Sequence, residues 1–177
     1  MKGDTMKRIC AILSLDEKTK IKIQNYRDLL TIRYGVSKKI LYPHITIAHY
    51  ISIDMEEIIK YTGDFVKEMN AFNIQYGTIE ILEDNCIACI VNPDNEITEL
   101  YNMYHHRYDE HCDKWTKKEN KLWIPHSTIY GKSNPKLAEM KASLEDDFIP
   151  FKAKVIGLEL SLIKENGYEI IFSKEFK

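Results

Sequence analysis

Hydrophobic and polar residues follow one another in this chain in a pattern that predicts strands and amphipathic helices in turn. Short apolar, β-prone runs predict strands over residues 7–15, 41–51, 72–82, 86–91, 122–130, 151–164 and 168–176. Apolar positions at helical spacing predict a helix over residues 16–34 and further helices that begin near Asp54, Asn92 and Ser133. Polar residues 83–85 predict a hairpin turn between the third and fourth strands.

These elements occur in a repeated order. Strand, helix, strand, helix, strand appears twice, and one further strand closes the chain. His44 and His126 occupy equivalent places in the two copies, 82 residues apart. The repeat predicts one domain over residues 1–177 with two pseudo-symmetric lobes, residues 7–82 and 86–176, in an arrangement that allows strand exchange between them. No low-complexity linker separates the halves, which favours one compact body.

Composition and charge narrow the function classes. The chain has 177 residues, 44% hydrophobic and 29% charged, which is ordinary for a soluble globular domain. A net charge of -2 argues against a protein that coats long nucleic acid, which needs a basic surface. A small nucleotide or an RNA end in a local pocket remains compatible with it.

Targeting and cysteine patterns indicate a cytoplasmic location. No apolar run is long enough to span a bilayer, and the N-terminus lacks the apolar core of a signal peptide. Cys86 and Cys89 lie in a predicted buried strand, where a spacing of three puts the sulfurs on opposite faces. We therefore expect reduced thiols and no zinc or redox pair. The sequence predicts no cofactor, no membrane contact and no obligate protein partner.

Two segments share the pattern Pro-His-x-Thr-Ile. They are Pro43–Ile47 and Pro125–Ile129, each in a predicted strand. Residues i and i+2 of a strand share a face, so each segment presents an imidazole beside a hydroxyl. Taken singly, each histidine is readily explained as a core residue. Because the two copies occupy equivalent places in the repeat, they favour a site in which His44, Thr46, His126 and Thr128 meet.

Such a site suits acid/base chemistry on a phosphoester. Histidine titrates near neutrality, so one imidazole can be the base and the other the acid, and threonine hydroxyls can hold phosphoryl oxygens. This chemistry needs no metal. The residues leave open which histidine is the base.

Other side chains near the motifs are weaker candidates. A regular strand would put Tyr130 on the face of His126 and Tyr42 on the face of His44, where either could contact substrate, although packing is an equal explanation. Lys132 could supply charge near a phosphate, or it is simply an exposed loop residue. The same regular alternation puts His49 on the face opposite His44. We also considered, and argue against, a metal cluster formed by His105, His106, His111 and Cys112, because their spacing does not complete a ligand set.

The two motifs carry a resemblance. His44-Ile45-Thr46-Ile47 and His126-Ser127-Thr128-Ile129 are similar to the paired H-x-[ST]-x signature of the 2H phosphoesterase superfamily, also called LigT-like. The resemblance implies an α+β, duplicated two-lobe fold whose antiparallel sheets line a central cleft, with helices outside. Bacterial ligase-like members often extend the motif to HxTLxR. His49 and Gly131 stand at the arginine positions here, which weakens the case for RNA ligation.

The expected function is metal-independent hydrolysis of a cyclic phosphodiester, such as the 2',3'-cyclic phosphate of a small nucleotide or an RNA end, a reaction of RNA processing. Four alternatives remain open from the sequence. They are an ADP-ribose-type cyclic phosphate as substrate, 2'-5' RNA ligase-type activity, a non-catalytic module that binds a nucleotide or RNA end, and a purely structural protein in which the two histidines lie far apart.

Overall fold

The structure, a computed structural model, describes residues 7–37, 39, 41–83 and 85–177. Residues 1–6, part of the N-terminus that is predicted to lack a signal peptide, and Asp84 of the predicted hairpin turn lie outside this range. The strands are β1 Arg8–Leu15, β2 His44–Tyr50, β3 Phe72–Leu82, β4 Cys86–Val91, β5 His126–Tyr130, β6 Phe151–Lys164 and β7 Gly167–Glu175. The α-helices are α1 Glu17–Tyr34, α2 Met55–Val66, α3 Asn95–Tyr104 and α4 Leu137–Glu145. The predicted element order and the α+β class are confirmed.

Local sequence signals explain where the helices begin and end. The Asp54 side chain accepts hydrogen bonds from the amides of Glu56 and Glu57, both at 2.9 Å, and so caps α2. Gly35 ends α1 with φ at 66°, a left-handed conformation that glycine adopts without steric cost. No helix within the described residues is both long and apolar enough to cross a bilayer.

The strands form one antiparallel sheet. Its order reads the same from either end when each strand is replaced by its equivalent in the other half. The order is β2-β1-β6-β3-β4-β5, with β7 paired to β6. The third strand of each half therefore pairs with the first strand of the other half: β3 with β4, and β6 with β1. The two third strands, β3 and β6, pair with each other at the centre. The halves thus share one hydrogen-bonded sheet.

Four β-bulges obey the same symmetry. One extra residue follows the motif threonine in each half, Ile47 in β2 and Ile129 in β5. A second pair of bulges lies in the third strands, at Gly77 in β3 and at Ile156 in β6. A bulge shifts the alternation of faces by one residue and bends the strand. Equivalent bends in both halves therefore give the sheet a symmetric curvature.

This curvature brings the two ends of the sheet together. Strands β2 and β5 are its opposite edges, yet they contact each other directly. Helices α1, α2 and α4 pack on the strands of both halves, with α1 against β5 and β6, and α4 against β3 and β4. Buried apolar side chains such as Ile9, Leu13, Ile45 and Ile129 form the core. The opposite face of the sheet is left to line a cleft.

One hydrogen-bond chain joins the two edges. Ser127 Oγ lies 2.8 Å from the carbonyl oxygen of His44 and 2.6 Å from the hydroxyl of Tyr76. A serine hydroxyl has a single hydrogen. Because the His44 carbonyl can only accept, Ser127 donates to it, and Tyr76 must donate to Ser127. All three groups lie where water does not compete, since Ser127 and Tyr76 are fully buried.

Replacing Ser127 by alanine should destabilise the fold. The Ser127→Ala variant leaves both the Tyr76 hydroxyl and the His44 carbonyl without this partner, and a buried unsatisfied polar group costs about 1–3 kcal/mol. We expect the free energy of unfolding, measured by urea denaturation, to fall by about 2 kcal/mol. Ser133→Ala, at an exposed loop position, is the matched control and should change it little. Equal stability of the two variants would contradict the role given to Ser127.

Candidate active site

The two motifs lie side by side on the edge strands. In β2, His44 is opposite Ser14 and Thr46 is opposite Ile12 of β1. In β5, His126 is opposite Ile90 and Thr128 is opposite Ala88 of β4. Within each motif, the histidine and the threonine share a face as predicted. The direct contact of β2 with β5, and the bond from Ser127 to the His44 carbonyl, bring the two motifs together at one place.

Arg27 ties the motifs together from behind. Its guanidinium is buried and donates to the carbonyl of Thr128 from both Nε, at 3.2 Å, and Nη2, at 2.9 Å. Its Nη1 donates to the carbonyl of Leu41, just before β2, at 2.7 Å. A single side chain of α1 therefore holds both halves. In the sequence, Arg27 is only one of several basic residues of the predicted helix over residues 16–34, and nothing in the pattern distinguishes it.

Two aromatic side chains complete this support at the first motif. Trp123 Nε1 donates to the carbonyl of Thr46 at 2.9 Å, and His105 Nε2 lies 2.7 Å from the carbonyl of Ile47, the bulge residue. A bulge leaves a backbone group without its ladder partner, and a buried carbonyl needs another donor. The side chains of the second half supply these donors to the first half.

The same backbone geometry fixes the tautomer of both motif histidines. His44 Nδ1 lies 2.8 Å from the carbonyl of Tyr42, and His126 Nδ1 lies 2.7 Å from the carbonyl of Ile124. In each case the partner is two residues earlier in the chain. A carbonyl only accepts, so Nδ1 carries the hydrogen in both rings. Nε2 of a neutral ring is then left with a lone pair, which can take a proton.

Both rings are held neutral near pH 7. Burial lowers the pKa of His44 from 6.5 to about 4, and the positive charges of Arg27 and Lys39 act in the same direction. The hydrogen bond to the Tyr42 carbonyl opposes this effect but does not outweigh it. Burial, and then the charge of Lys39, lowers the pKa of His126. Each ring is therefore ready to act as a base in the free protein.

Thr46 borders a pocket, and Thr128 contacts a thiol. Thr46 and His126 line the same pocket, which has a volume of about 450 Å³. Thr128 Oγ1 accepts a weak hydrogen bond from Cys86 Sγ at 3.7 Å.

Cys86 and Cys89 form no disulfide. Cys86 Sγ contacts Thr128 and Cys89 is buried in the core, so the two sulfurs lie on opposite faces of β4, as predicted.

The bulges correct two face assignments. A regular strand would put His49 opposite the His44 face and Tyr130 on the His126 face. Because Ile47 is an extra residue, the alternation shifts, and His49 lines the pocket together with Thr46. Because Ile129 is an extra residue, Tyr130 pairs with the core residue Ile87 and is itself buried in the core. Its contact with a substrate is therefore not supported.

The two remaining candidates have partners of their own. The Tyr42 hydroxyl donates to the carboxylate of Glu159. Burial and this hydrogen bond raise the pKa of Tyr42. The exposed Lys132 donates to Ser37 Oγ at 3.2 Å. Neither residue lines the pocket that Thr46 and His126 share.

Lys39 is a site residue that sequence reasoning missed. A Cβ added at Gly131 would lie 3.3 Å from Lys39 Nζ, so the ammonium occupies the space that a side chain at this motif position would take. The residue as a whole is exposed, but its ammonium group lies close to the backbone at Gly131. There, partial burial and the charges of Arg27 and Lys132 lower the pKa of Lys39. Its charge also acts on both His44 and His126.

The possible metal ligands around His105 are already hydrogen-bonded. Ligand atoms of His105, Asp109 and Cys112 lie within 4.8 Å of one another. However, His105 Nδ1 lies 2.6 Å from Asp109 Oδ1, and its Nε2 lies 2.7 Å from the carbonyl of Ile47. A metal would have to displace one of these contacts. His106 is exposed and takes no part in this group.

The lowered pKa of His44 predicts a pH effect on stability. Between about pH 6.5 and pH 4 the unfolded chain binds a proton at this residue and the folded chain does not, so stability falls as the pH falls through this window. Compared with His44→Gln, which cannot titrate there, the wild type should lose roughly 2 kcal/mol more on going from pH 7 to pH 4.5. Urea denaturation at both pH values measures this. A parallel loss in both proteins would contradict it.

Comparisons with known proteins support the same fold. No protein-family model matches the chain, and no curated protein matches it. Among solved structures, a protein of Thermus thermophilus superposes with a TM-score of 0.70 at 13% identity, covering 96% of this chain and 97% of that one. E. coli LigT in complex with 3'-AMP gives a TM-score of 0.67 at 13% identity, covering 97% and 98%. A structure described as a phosphoesterase gives 0.63 at 12% identity, covering 97% and 99%. Over nearly its whole length, this chain has the fold of LigT and related phosphoesterases.

Proposed function

We propose that the protein is a metal-independent 2H-type phosphoesterase that hydrolyses a cyclic phosphodiester. Its substrate would be the 2',3'-cyclic phosphate of a small nucleotide or an RNA end. One observation carries the proposal: two neutral imidazoles on adjacent strands, each with its Nδ1–H engaged by its own backbone. A pair of bases fixed in this way suits in-line displacement at phosphorus, where a proton must be removed on one side and supplied on the other.

The proposed reaction uses both histidines. A water oxygen attacks phosphorus while Nε2 of one histidine takes its proton. The bond from phosphorus to a ribose oxygen breaks, and Nε2–H of the other histidine protonates that oxygen. The second ring must first gain a proton. An anionic phosphate beside it favours this, because an opposite charge raises the pKa of an imidazole. The product is a phosphate monoester.

The remaining polar groups would hold the phosphate. The hydroxyls of Thr46 and Thr128 can donate to the non-bridging oxygens, and Lys39 can supply a positive charge between the two motifs. E. coli LigT has been crystallised with 3'-AMP, which is a nucleotide carrying a phosphate monoester. Its shared fold supports a nucleotide as ligand of this chain. The lack of arginine at positions 49 and 131 favours cleavage over ligation.

Removing either motif histidine should abolish turnover. In His44→Ala and His126→Ala, kcat for 2',3'-cyclic AMP should fall at least ~100-fold, the contribution usual for general acid/base catalysis. Product is measured by chromatography, with and without EDTA. His106→Ala, at an exposed histidine outside the site, is the control and should keep wild-type activity. Near wild-type turnover by either folded motif variant would contradict the mechanism. Saturable binding by the wild type without product would identify a binding module instead.

Lys39 should contribute to binding of the phosphate. In Lys39→Met, which keeps the aliphatic length and removes the charge, KM for 2',3'-cyclic AMP should rise about tenfold, as expected for the loss of one hydrogen bond to a charged group. Lys132→Met is the control, because it removes a neighbouring exposed charge whose ammonium is bonded to Ser37. A larger rise of KM in Lys39→Met than in Lys132→Met would indicate a direct contact of Lys39 with the phosphate rather than general electrostatic attraction. Steady-state kinetics at two salt concentrations measures both. Equal effects of the two substitutions would argue against a direct contact by Lys39.

A further inference from the structure

Each motif histidine depends on a backbone carbonyl that precedes its strand. Nδ1 of His44 lies 2.8 Å from the carbonyl oxygen of Tyr42, before β2, and Nδ1 of His126 lies 2.7 Å from that of Ile124, before β5. A carbonyl within a strand is held in place by its ladder partner, whereas one in a connecting segment needs other support. Whatever holds Tyr42 therefore also holds the ring of His44 and its tautomer.

The side chain of Tyr42 and both of its neighbours restrain it. Its hydroxyl donates to the carboxylate of Glu159. Burial and then this hydrogen bond raise the pKa of Tyr42, so the hydroxyl keeps its hydrogen and remains a donor. The carbonyl of Leu41, just before it, accepts from Arg27 Nη1 at 2.7 Å. Pro43, just after it, restricts the backbone of the residue that precedes it.

Glu159 is an anchor on the interior strand β6. Direct cross-strand pairs align Glu159 with Ile12 of β1, and Ile12 with Thr46 of β2. Directly opposite residues share a face, so the carboxylate lies on the same face of the sheet as the motif threonine. Its Oε2 accepts from Tyr42, and its Oε1 accepts from Ser173 Oγ of β7 at 3.1 Å. Because β6 is paired on both sides at this point, Glu159 holds the Tyr42 side chain against the sheet.

The second half of the chain lacks this support at the equivalent positions. Ile124 takes the place of Tyr42, and its apolar side chain is 45% exposed and has no group that donates a hydrogen bond. Glu80 of β3 takes the place of Glu159, two strands from the motif threonine, but it forms an ion pair with Lys141 of α4 at 3.6 Å. The contact is therefore a feature of the first motif and not a consequence of the duplicated fold.

We propose that Tyr42 and Glu159 are positioning residues for His44: their hydrogen bond fixes the Tyr42 carbonyl, which keeps the imidazole hydrogen on Nδ1 and leaves Nε2 available for proton transfer. The inference rests on the proposed function for the reaction, but the state of the His44 ring can be measured without turnover. It gives Tyr42 a role that differs from contact with the substrate. A positioning residue acts on the chemical step, so its removal should lower kcat without a matching rise of KM.

Removing either partner should slow the reaction. In Tyr42→Phe, which loses only the hydroxyl oxygen, kcat for 2',3'-cyclic AMP should fall about tenfold while KM stays within about twofold. Glu159→Met should have the same effect, and Glu159→Gln, whose amide oxygen can still accept from Tyr42, should recover most of the loss. The double variant should be no slower than either single variant, because the two residues act as one unit. Tyr34→Phe and Glu80→Gln are the matched controls and should keep the wild-type kcat.

Nitrogen NMR of the histidine rings gives a measurement that is independent of catalysis. In the wild type at neutral pH, Nδ1 of His44 should have the 15N shift of a protonated nitrogen and Nε2 that of an unprotonated one. In Tyr42→Phe the two shifts should move toward each other, as in a ring that exchanges between both tautomers. The shifts of His126 should stay unchanged, which makes the second motif an internal control.

Each result bears on the inference. Unchanged 15N shifts of His44 in Tyr42→Phe would overturn it, and so would a rise of KM at unchanged kcat, which indicates contact with the substrate. Should Glu159→Met fail to fold in a urea denaturation test, Tyr42→Phe and its NMR spectrum still decide the question. A change of tautomer in a protein that hydrolyses no 2',3'-cyclic nucleotide would overturn the proposed reaction and leave the positioning of His44 intact.

Discussion

The backbone of two edge strands needs hydrogen-bond partners, and much of this structure follows from how they are supplied. Strands β2 and β5 carry the motifs and lie at the two ends of the sheet. An edge strand exposes a row of unpaired backbone groups. Here side chains from the facing half bind them: Ser127 at the His44 carbonyl, Trp123 at the Thr46 carbonyl, and Arg27 at the Thr128 carbonyl. The contacts that satisfy the edges are the same contacts that assemble the site.

The electrostatics of the site follow from this construction. Arg27 is a buried cation that is bonded to both halves, and Lys39 places a second positive charge beside Gly131, three residues after Thr128. Both charges act with burial to keep the His44 ring neutral. Two cations therefore act on histidines that are unprotonated near pH 7, while Glu83 and Asp113 line the neighbouring pocket. An incoming anion would be attracted by those cations and would itself favour protonation of one ring. Substrate binding and the activation of the proposed acid are thereby coupled.

The bulges mark the point where reasoning from the sequence pattern fails. Regular alternation of side chains predicts the correct face of the strand up to Thr46 in β2 and Thr128 in β5. It predicts the wrong face for His49 and Tyr130, which follow the bulges. The apolar runs give no sign of the extra residue, because Ile47 and Ile129 are as β-prone as the residues around them. Whether a bulge forms depends on how the strand pairs with its neighbour and on how strongly the sheet bends there. Its presence in both halves explains why one such error follows the motif threonine in each half.

The sequence by itself determined the order of the elements, the duplication, the α+β class and the pairing of each histidine with a threonine on one face. These features depend on local propensity and short-range periodicity, which a single chain segment already contains. Only the tertiary structure decided that the edges of the sheet meet, that β3 and β6 pair across the halves, and that Arg27, Lys39 and His49 lie near the motifs whereas Tyr130 packs in the core. Those features depend on contacts between residues about a hundred positions apart, such as Arg27 with Thr128. No local pattern encodes them, because each partner looks ordinary until the curvature of the sheet brings the other to it.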